Sequence, residues 1–577
     1  MDFQPMIQNL IELTKKSKLF DRSESDGSGS GWWNIVTIAI ALLVSIPVLT
    51  VAANIFIPSG DIWQHLASTV LPDYVKNSIW LMFGVGFGVF VLGVGSAWLV
   101  TMCRFPGSKW FNWMLILPMA VPAYLMAYTY TDFLSFTGPF QTLLRDITGW
   151  GLGDYYFPNV RSIGGAMLMM SFVFFPYVYL LTRAAFLEQS SSLLEASRSL
   201  GATPFESFYK IALPLARPSI AAGMALALME TLNDFGTVDY FGVQTFTTGI
   251  YRTWFGLGER AAAAQLSGFL LIFILFLILI ERWSRNKMNV RQSSTGRFKQ
   301  LYVYDLTGWK AWASTLFCSI PVLAGFLIPV AILTDMMIAN FDVAVDIRFI
   351  QFSINTILVA SIAGVFALLV ALIMAYGVRL NPNYLTKFST RIGSMGYAIP
   401  GSVIAVGILI PFGWVDNTID SWLRDNLGIS SGLILSGTIF ALIFAYVVRF
   451  LAVAFNTVEA SLGKITHNMD EAAEGMGYSF GKILRKIHMP MMSGSLFAAI
   501  MLVVVDVIKE LPATLIVRPF NFDTLAVQVY RLASDERLAE SSGAALAIIL
   551  VGLVPVIILS RSIAKTRKTS KKVSPES

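Results

Sequence analysis

Apolar residues run along this chain in blocks of about twenty rather than in short amphipathic or alternating stretches, and charged residues fall almost wholly between the blocks. A helix needs about 20 apolar residues to cross a bilayer. Twelve segments meet that requirement, within residues 32–57, 77–103, 110–131, 162–182, 218–240, 261–280, 311–334, 349–378, 392–415, 426–448, 488–516 and 541–560. The pattern predicts an all-α membrane protein of about 12 transmembrane helices. Composition agrees: of 577 residues, 55% are hydrophobic and 14% charged, against roughly a quarter charged in soluble proteins. Soluble multidomain enzymes are thereby excluded. The two cysteines, Cys103 and Cys318, sit in separate apolar stretches, so no disulfide framework or cysteine metal cluster is available.

The net charge of +6 changes meaning once it is mapped onto these spans. With the N-terminus placed in the cytoplasm, about three quarters of the 42 Lys and Arg fall in cytoplasmic segments, as the positive-inside rule requires. Both termini are therefore expected there, and the excess charge is assigned to topology and anionic lipid, with no nucleic-acid role. The expected organisation is a cytoplasmic tail (1–31), a first half (32–282), a basic linker (283–310), a second half (311–562) and a basic tail (563–577). Within the first tail, Met6 to Leu13 beside Lys15, Lys16 and Lys18 fit either a short interfacial helix or a frayed end.

The strongest signal is an internal repeat. Glu195-Ala196-Ser197, Gly201 and Leu213-Pro214 pair with Glu471-Ala472-Ala473, Gly477 and Met489-Pro490, each 276 positions later. Asn77 and Pro122 pair with Asn355 and Pro400 at an offset of 278. The chain is thus a tandem duplication of a six-span unit, and an even span number makes the halves parallel, related by an axis along the membrane normal. Local chemistry predicts two short helices and a corner in each repeat. Gly201 supplies a left-handed end, and Thr203, Pro204 and Glu206 supply the N-cap, first helical position and capping box. Such a knob suits a protein partner or, equally, an interfacial connector.

The pattern Glu-Ala-Ala or Glu-Ala-Ser, Gly six residues on, then a Pro thirteen beyond that Gly resembles the cytoplasmic coupling loop of binding-protein-dependent ABC importer permeases. Its two copies, near 189–214 and 459–490, resemble the fused twelve-span type. Met489 stands where the motif has leucine. Met229 to Val238 with Phe246 to Arg252, and Lys509 to Thr514 with Phe522 to Ala526, further resemble ferric iron transport permeases. That resemblance implies the type I permease fold with two pseudo-symmetric six-helix halves in the bacterial cytoplasmic (inner) membrane. It also implies two ABC ATPase subunits at the coupling loops, and a soluble ferric-iron-binding protein outside. The chain itself has no phosphate loop: Gly463-Lys464 and Gly481-Lys482 are each followed by Ile. ATP and Mg are expected only in the partner ATPases, and no cofactor or catalytic residue in this chain.

Ionisable residues within spans mark function by default. Glu230 and Asp234 lie four apart, on one face of a continuous helix, and Asp506 and Glu510 are their equivalents. Four carboxylates facing a shared axis would attract a hard cation and repel anions near the outer part of a pathway, without stable metal coordination, since cargo must leave. The structural alternative is neutralisation by Lys509 and helix capping by Asn233 or Asp234. His467 and His488 read as surface or interface residues, and Pro122 and Pro400 as kinks. Thiamine or another cation is the alternative cargo, and a proton-coupled secondary transporter the alternative mechanism.

Overall fold

Long apolar blocks become long helices because, in lipid, a helix satisfies every backbone group within itself. A computed structural model describes residues 28–57, 60–151, 153–189, 199, 201, 203–286 and 303–572. The interfacial-helix reading of residues 6–18 and most of the basic linker lie outside these. Twelve helices organise the bundle: α1 (Ser28–Asn54), α2 (Leu71–Met102), α3 (Ala123–Leu134), α4 (Ile163–Glu188), α5 (Phe205–Asn233), α6 (Arg260–Asn286), α7 (Trp309–Ala339), α8 (Ile347–Leu380), α9 (Gly401–Leu427), α10 (Ile439–Leu462), α11 (Phe480–Lys509) and α12 (Leu538–Lys572). Eleven are long and apolar enough to cross a membrane; the third span qualifies only as a pair, Ser108–Ala120 with Ala123–Thr148, bent by 90°.

Several expected spans are corrected. The third does not run unbroken through 110–131 but stops at Val121 and restarts at Ala123, with Pro122 as extended N-cap. Pro122 lacks a donor and biases the residue before it away from helix, so it breaks rather than kinks. Pro400 acts alike before α9. The tenth span is Ile439–Leu462, not 426–448. Residues 428–438 are instead a loop, held by the buried Asp416 carboxylate, which accepts from the backbone N–H groups of Ile434, Leu435 and Ser436 at 2.7–3.1 Å. The C-terminal tail continues as helix to Lys572.

The repeat extends to irregularities. Phe208–Ala212 and Leu484–His488 are π-turns 276 residues apart, each followed by a proline, Pro214 and Pro490. A proline ring clashes with the carbonyl four residues earlier. Widening the preceding turn, so that Leu213 N–H bonds to Phe208 O and Met489 N–H to Leu484 O, relieves that clash. Asn77 and Asn355 each donate to the loop before a short helix, at 2.8 and 3.2 Å.

The two halves exchange their first helices. α1 packs on α9 and on helix Tyr384–Gly393 of the second half, where a Cβ at Gly407 would collide with the Pro47 carbonyl. α7 packs against the first half, with Tyr130 Oη donating to Ala324 O at 2.7 Å. Within the first half, α2 and α4 approach closely through Gly88 and Gly93, as small residues permit in membranes.

Candidate functional site

Four chain breaks meet at one place. α5 ends at Asn233, Asp234 is extended with ψ 134°, and a short helix Gly236–Tyr240 follows. α11 ends at Lys509, Glu510 is extended with ψ 118°, and Pro512–Val517 follows. These breaks and the one at Pro122 line a cavity of about 310 Å³, and Gly401, just past the break at Pro400, packs behind Glu510 in its wall. Its wall includes all four sequence-predicted carboxylates, Glu230, Asp234, Asp506 and Glu510. It lies midway along α4 (Tyr177), α10 (Arg449) and α12 (Gly552), not near an outer mouth. The reason is that residues 236–255 continue beyond the break in short helices before α6 turns back. Broken backbone at membrane depth is tolerated where it lines a protein cavity.

The members of each acidic pair differ in their surroundings, and the expectation of one continuous helical face fails because the helix stops between them. Asp234 caps the next short helix, accepting from Thr237 N–H at 2.9 Å, Val238 N–H at 3.3 Å and the Thr237 hydroxyl at 3.0 Å. Glu510 accepts from Ala513 N–H at 3.0 Å and forms a buried ion pair with Arg449 at 2.9 Å. Gly401 leaves the space for that carboxylate, since a Cβ there would strike Glu510 Oε1. Glu230 and Asp506 remain within their helices, and neither has an ion-pair partner within 4.0 Å among the described residues.

Arg449 stands one position past the expected tenth span, 426–448, yet it lies inside α10, 4% exposed, donating also to Asn233 Oδ1 at 3.2 Å and Ile399 O at 3.1 Å. The apolar run Phe450 to Phe455 after it is the signal that the span continues. Among the described residues Lys509 pairs with no carboxylate within 4.0 Å; its ammonium donates to Met119 O at 3.2 Å across the halves, passing over Gly552. Tyr177 and Tyr397, also unremarked in sequence, line the same cavity. No cluster of three or more His, Cys, Asp and Glu suited to a metal occurs among the described residues.

The two segments expected to couple are described unequally. Glu195, Ala196 and Ser197 lie outside the described residues. Gly201 has φ +82° and the capping box forms, with Thr203 N–H donating to Glu206 at 3.0 Å and Glu206 N–H to Thr203 Oγ1 at 3.2 Å. In the second copy, Glu471, Ala472 and Ala473 lie on helix His467–Gly475, with Ala473 facing inward, and Gly477 makes the corner at φ +80°. Leu213-Pro214 and Met489-Pro490 follow the two π-turns. His467 is exposed, but His488 is buried, not at the surface, and bonds Asp470 at 2.8 Å. Asp470 also receives Arg379 at 2.9 Å, and Arg379 donates to Leu462 O and Ile465 O. This network ties helix His467–Gly475 to the end of α8. At the position equivalent to His488 the first half has Ala212.

Comparison with known proteins identifies the family. A family described as binding-protein-dependent transport system inner membrane component matches residues 89–290 and again 367–567. The chain is similar to the Fe(3+)-transport system permease protein FbpB 2 of Haemophilus influenzae, 25% identical over 536 residues, covering 92% of this chain and 98% of that protein. It is similar to the ferric transport system permease protein FbpB of Actinobacillus pleuropneumoniae, 24% identical over 504 residues, covering 84% and 70%. It also resembles the molybdenum transport system permease protein ModB of Escherichia coli, 28% identical over 228 residues, covering 38% of this chain and 92% of that one. With the family matched twice, across well over half of the chain, and a multi-span helical bundle built as two like halves, the protein belongs to the binding-protein-dependent transport system inner membrane component family, as a fused two-domain permease.

Proposed function

We propose that this permease imports ferric iron, delivered by a soluble binding protein, by alternating access driven by two ATPase subunits that use ATP and Mg. The central cavity carries the reading: it is enclosed by breaks from both halves and lined by four carboxylates against two cationic groups, Arg449 and Lys509. Such a wall favours a cation and opposes an anion in low dielectric. Hard oxygen donors suit a hard ion. The end-to-end similarity to permeases named for Fe(3+) supports iron over other cations, whereas the molybdenum and sulfate relatives align with at most 40% of the chain. Both termini and the coupling segments are taken to face the cytoplasm, where Glu195, Ala196, Ser197, Gly201, Leu213 and Pro214, with Glu471, Ala472, Ala473, Gly477, Met489 and Pro490, would receive the ATPases.

The test is uptake of radiolabelled iron into proteoliposomes holding this chain, its ATPase and the iron-loaded binding protein, with and without internal ATP. ATP-dependent accumulation is expected. Iron uptake that persists without ATP would point to a secondary transporter, and ATP-driven thiamine uptake without iron uptake would overturn the cargo. In the same assay, Glu230→Gln with Asp506→Asn is expected to lower the uptake rate at least about tenfold, the factor that ~1.4 kcal/mol represents. Assembly with the ATPases should be unchanged, because neither carboxylate holds the scaffold; unchanged uptake would remove both from the pathway.

A further inference from the structure

The cavity wall is symmetric in its carboxylates and asymmetric in everything else polar. Glu230 and Asp506 are equivalents, one from each half. Tyr177, Tyr397 and Arg449 line the cavity, but so do their repeat equivalents Val453, Met119 and Val173, all apolar. Duplication would have made the two walls alike. Instead two phenols stand on one wall, and both lie close to Glu230 and Asp506 as well as to each other. Tyr397 lies beside both Glu230 and Tyr177. A separate observation leaves room for a ligand: the Tyr124 side chain is 5% exposed, lines the same cavity, and its hydroxyl has no hydrogen-bond partner among the described residues. A buried hydroxyl without a partner costs stability unless something else supplies the bond.

Resting on the reading of this chain as a ferric permease, we propose that Glu230 and Asp506, together with the phenol oxygens of Tyr177 and Tyr397, form a holding site for the trivalent cation in transit. Asp234 and Glu510 belong to the scaffold, since the first is spent on capping and the second on Arg449. The donor set is oxygen only, which selects a hard ion. Its members come from α4, α5, the turn Gly396–Ala398 and α11, and therefore from both halves. Any movement of one half against the other separates the donors, so the site that collects the ion is dismantled in releasing it. That meets the requirement that a conducting site bind weakly enough to let go. No electrons move: iron stays Fe3+, each phenol that ligates gives its proton to the buffer, and its oxygen forms an Fe–O bond as a water or chelate oxygen leaves the ion.

The permease, in lipid nanodiscs with its ATPase and without the binding protein, is titrated with ferric nitrilotriacetate while visible absorption is followed. A phenolate-to-iron charge-transfer band is expected. In the variant Tyr177→Phe/Tyr397→Phe the band should vanish and iron affinity fall at least tenfold, with an unchanged thermal unfolding midpoint showing that the fold is intact. Asp234→Asn should keep the band. A band that survives in the double phenylalanine variant overturns the assignment. So does wild-type protein that accumulates iron in proteoliposomes with ATP yet shows no band; there the importer reading stands and only the holding site falls. Absence of both band and uptake overturns the two together.

Discussion

Arg449→Met is expected to destabilise the protein by about 3–5 kcal/mol, the usual cost of leaving one member of a buried ion pair alone. Both side chains of the Arg449–Glu510 pair are 5% exposed. The guanidinium also donates to Asn233 Oδ1 and Ile399 O, so its loss strips two further acceptors, at the breaks after α5 and before α9. Adding Glu510→Gln should recover most of the loss, because a glutamine oxygen still accepts from Ala513 N–H while no buried charge remains. Thermal or denaturant unfolding of the two single variants, the double variant and the parent gives the coupling directly. Additive effects would show that the two side chains do not depend on each other.

Asp470→Ala is expected to abolish ATP-driven uptake while leaving the membrane bundle folded. Asp470 gathers Arg379 and His488, two groups from the ends of α8 and the π-turn of α11, onto the helix that carries Glu471 and Ala472. A hydrogen bond to a charged group contributes about 1.5–3 kcal/mol, so losing even one shifts the population of the docked helix by tenfold or more. Arg379 keeps Leu462 O and Ile465 O, which confines the damage to the coupling helix. Co-purification of the ATPase and its hydrolysis rate in proteoliposomes measure the effect. Normal coupling in this variant would show that the network has no part in transmitting ATP closure. Asp470→Asn, retaining one acceptor, should fall between.

What the sequence made legible was whatever is periodic or repeated. The spans follow from apolar run length, the two halves from a constant offset, and the corner at Gly201 from cap chemistry that needs only neighbouring residues. The central cavity was legible only in part. Its carboxylates stand out because charges in apolar runs are rare, whereas their division of labour depends on where α5 and α11 stop. Pro512 lies past that stop and Pro122 belongs to another span, so no local pattern decides between Asp234 as a cap and Asp234 in the pathway, or marks Glu510 as a partner of Arg449. Arg449 was misread because a single charge at the end of an apolar run looks like a span boundary. Tyr177 and Tyr397 were invisible for the opposite reason: tyrosine is ordinary in membrane helices, and only the fold brings these two together. His488 was misread for want of its partner, Asp470, eighteen residues upstream.

The exchange of first helices sets a timetable for biosynthesis. α1 ends at Asn54, and the face of α9 that receives it begins at Gly401, roughly 350 residues later. At about 5–20 residues per second, the ribosome takes roughly 20–70 s to make that partner. Through that interval the face of α1 that α9 will cover stands open to lipid at Pro47, while other parts of α1 can already pack on α6 and then α8. A nascent chain halted before residue 401 should therefore leave the Pro47 face of α1 accessible to lipid-phase crosslinkers, and a chain in which α9 has entered the bilayer should not.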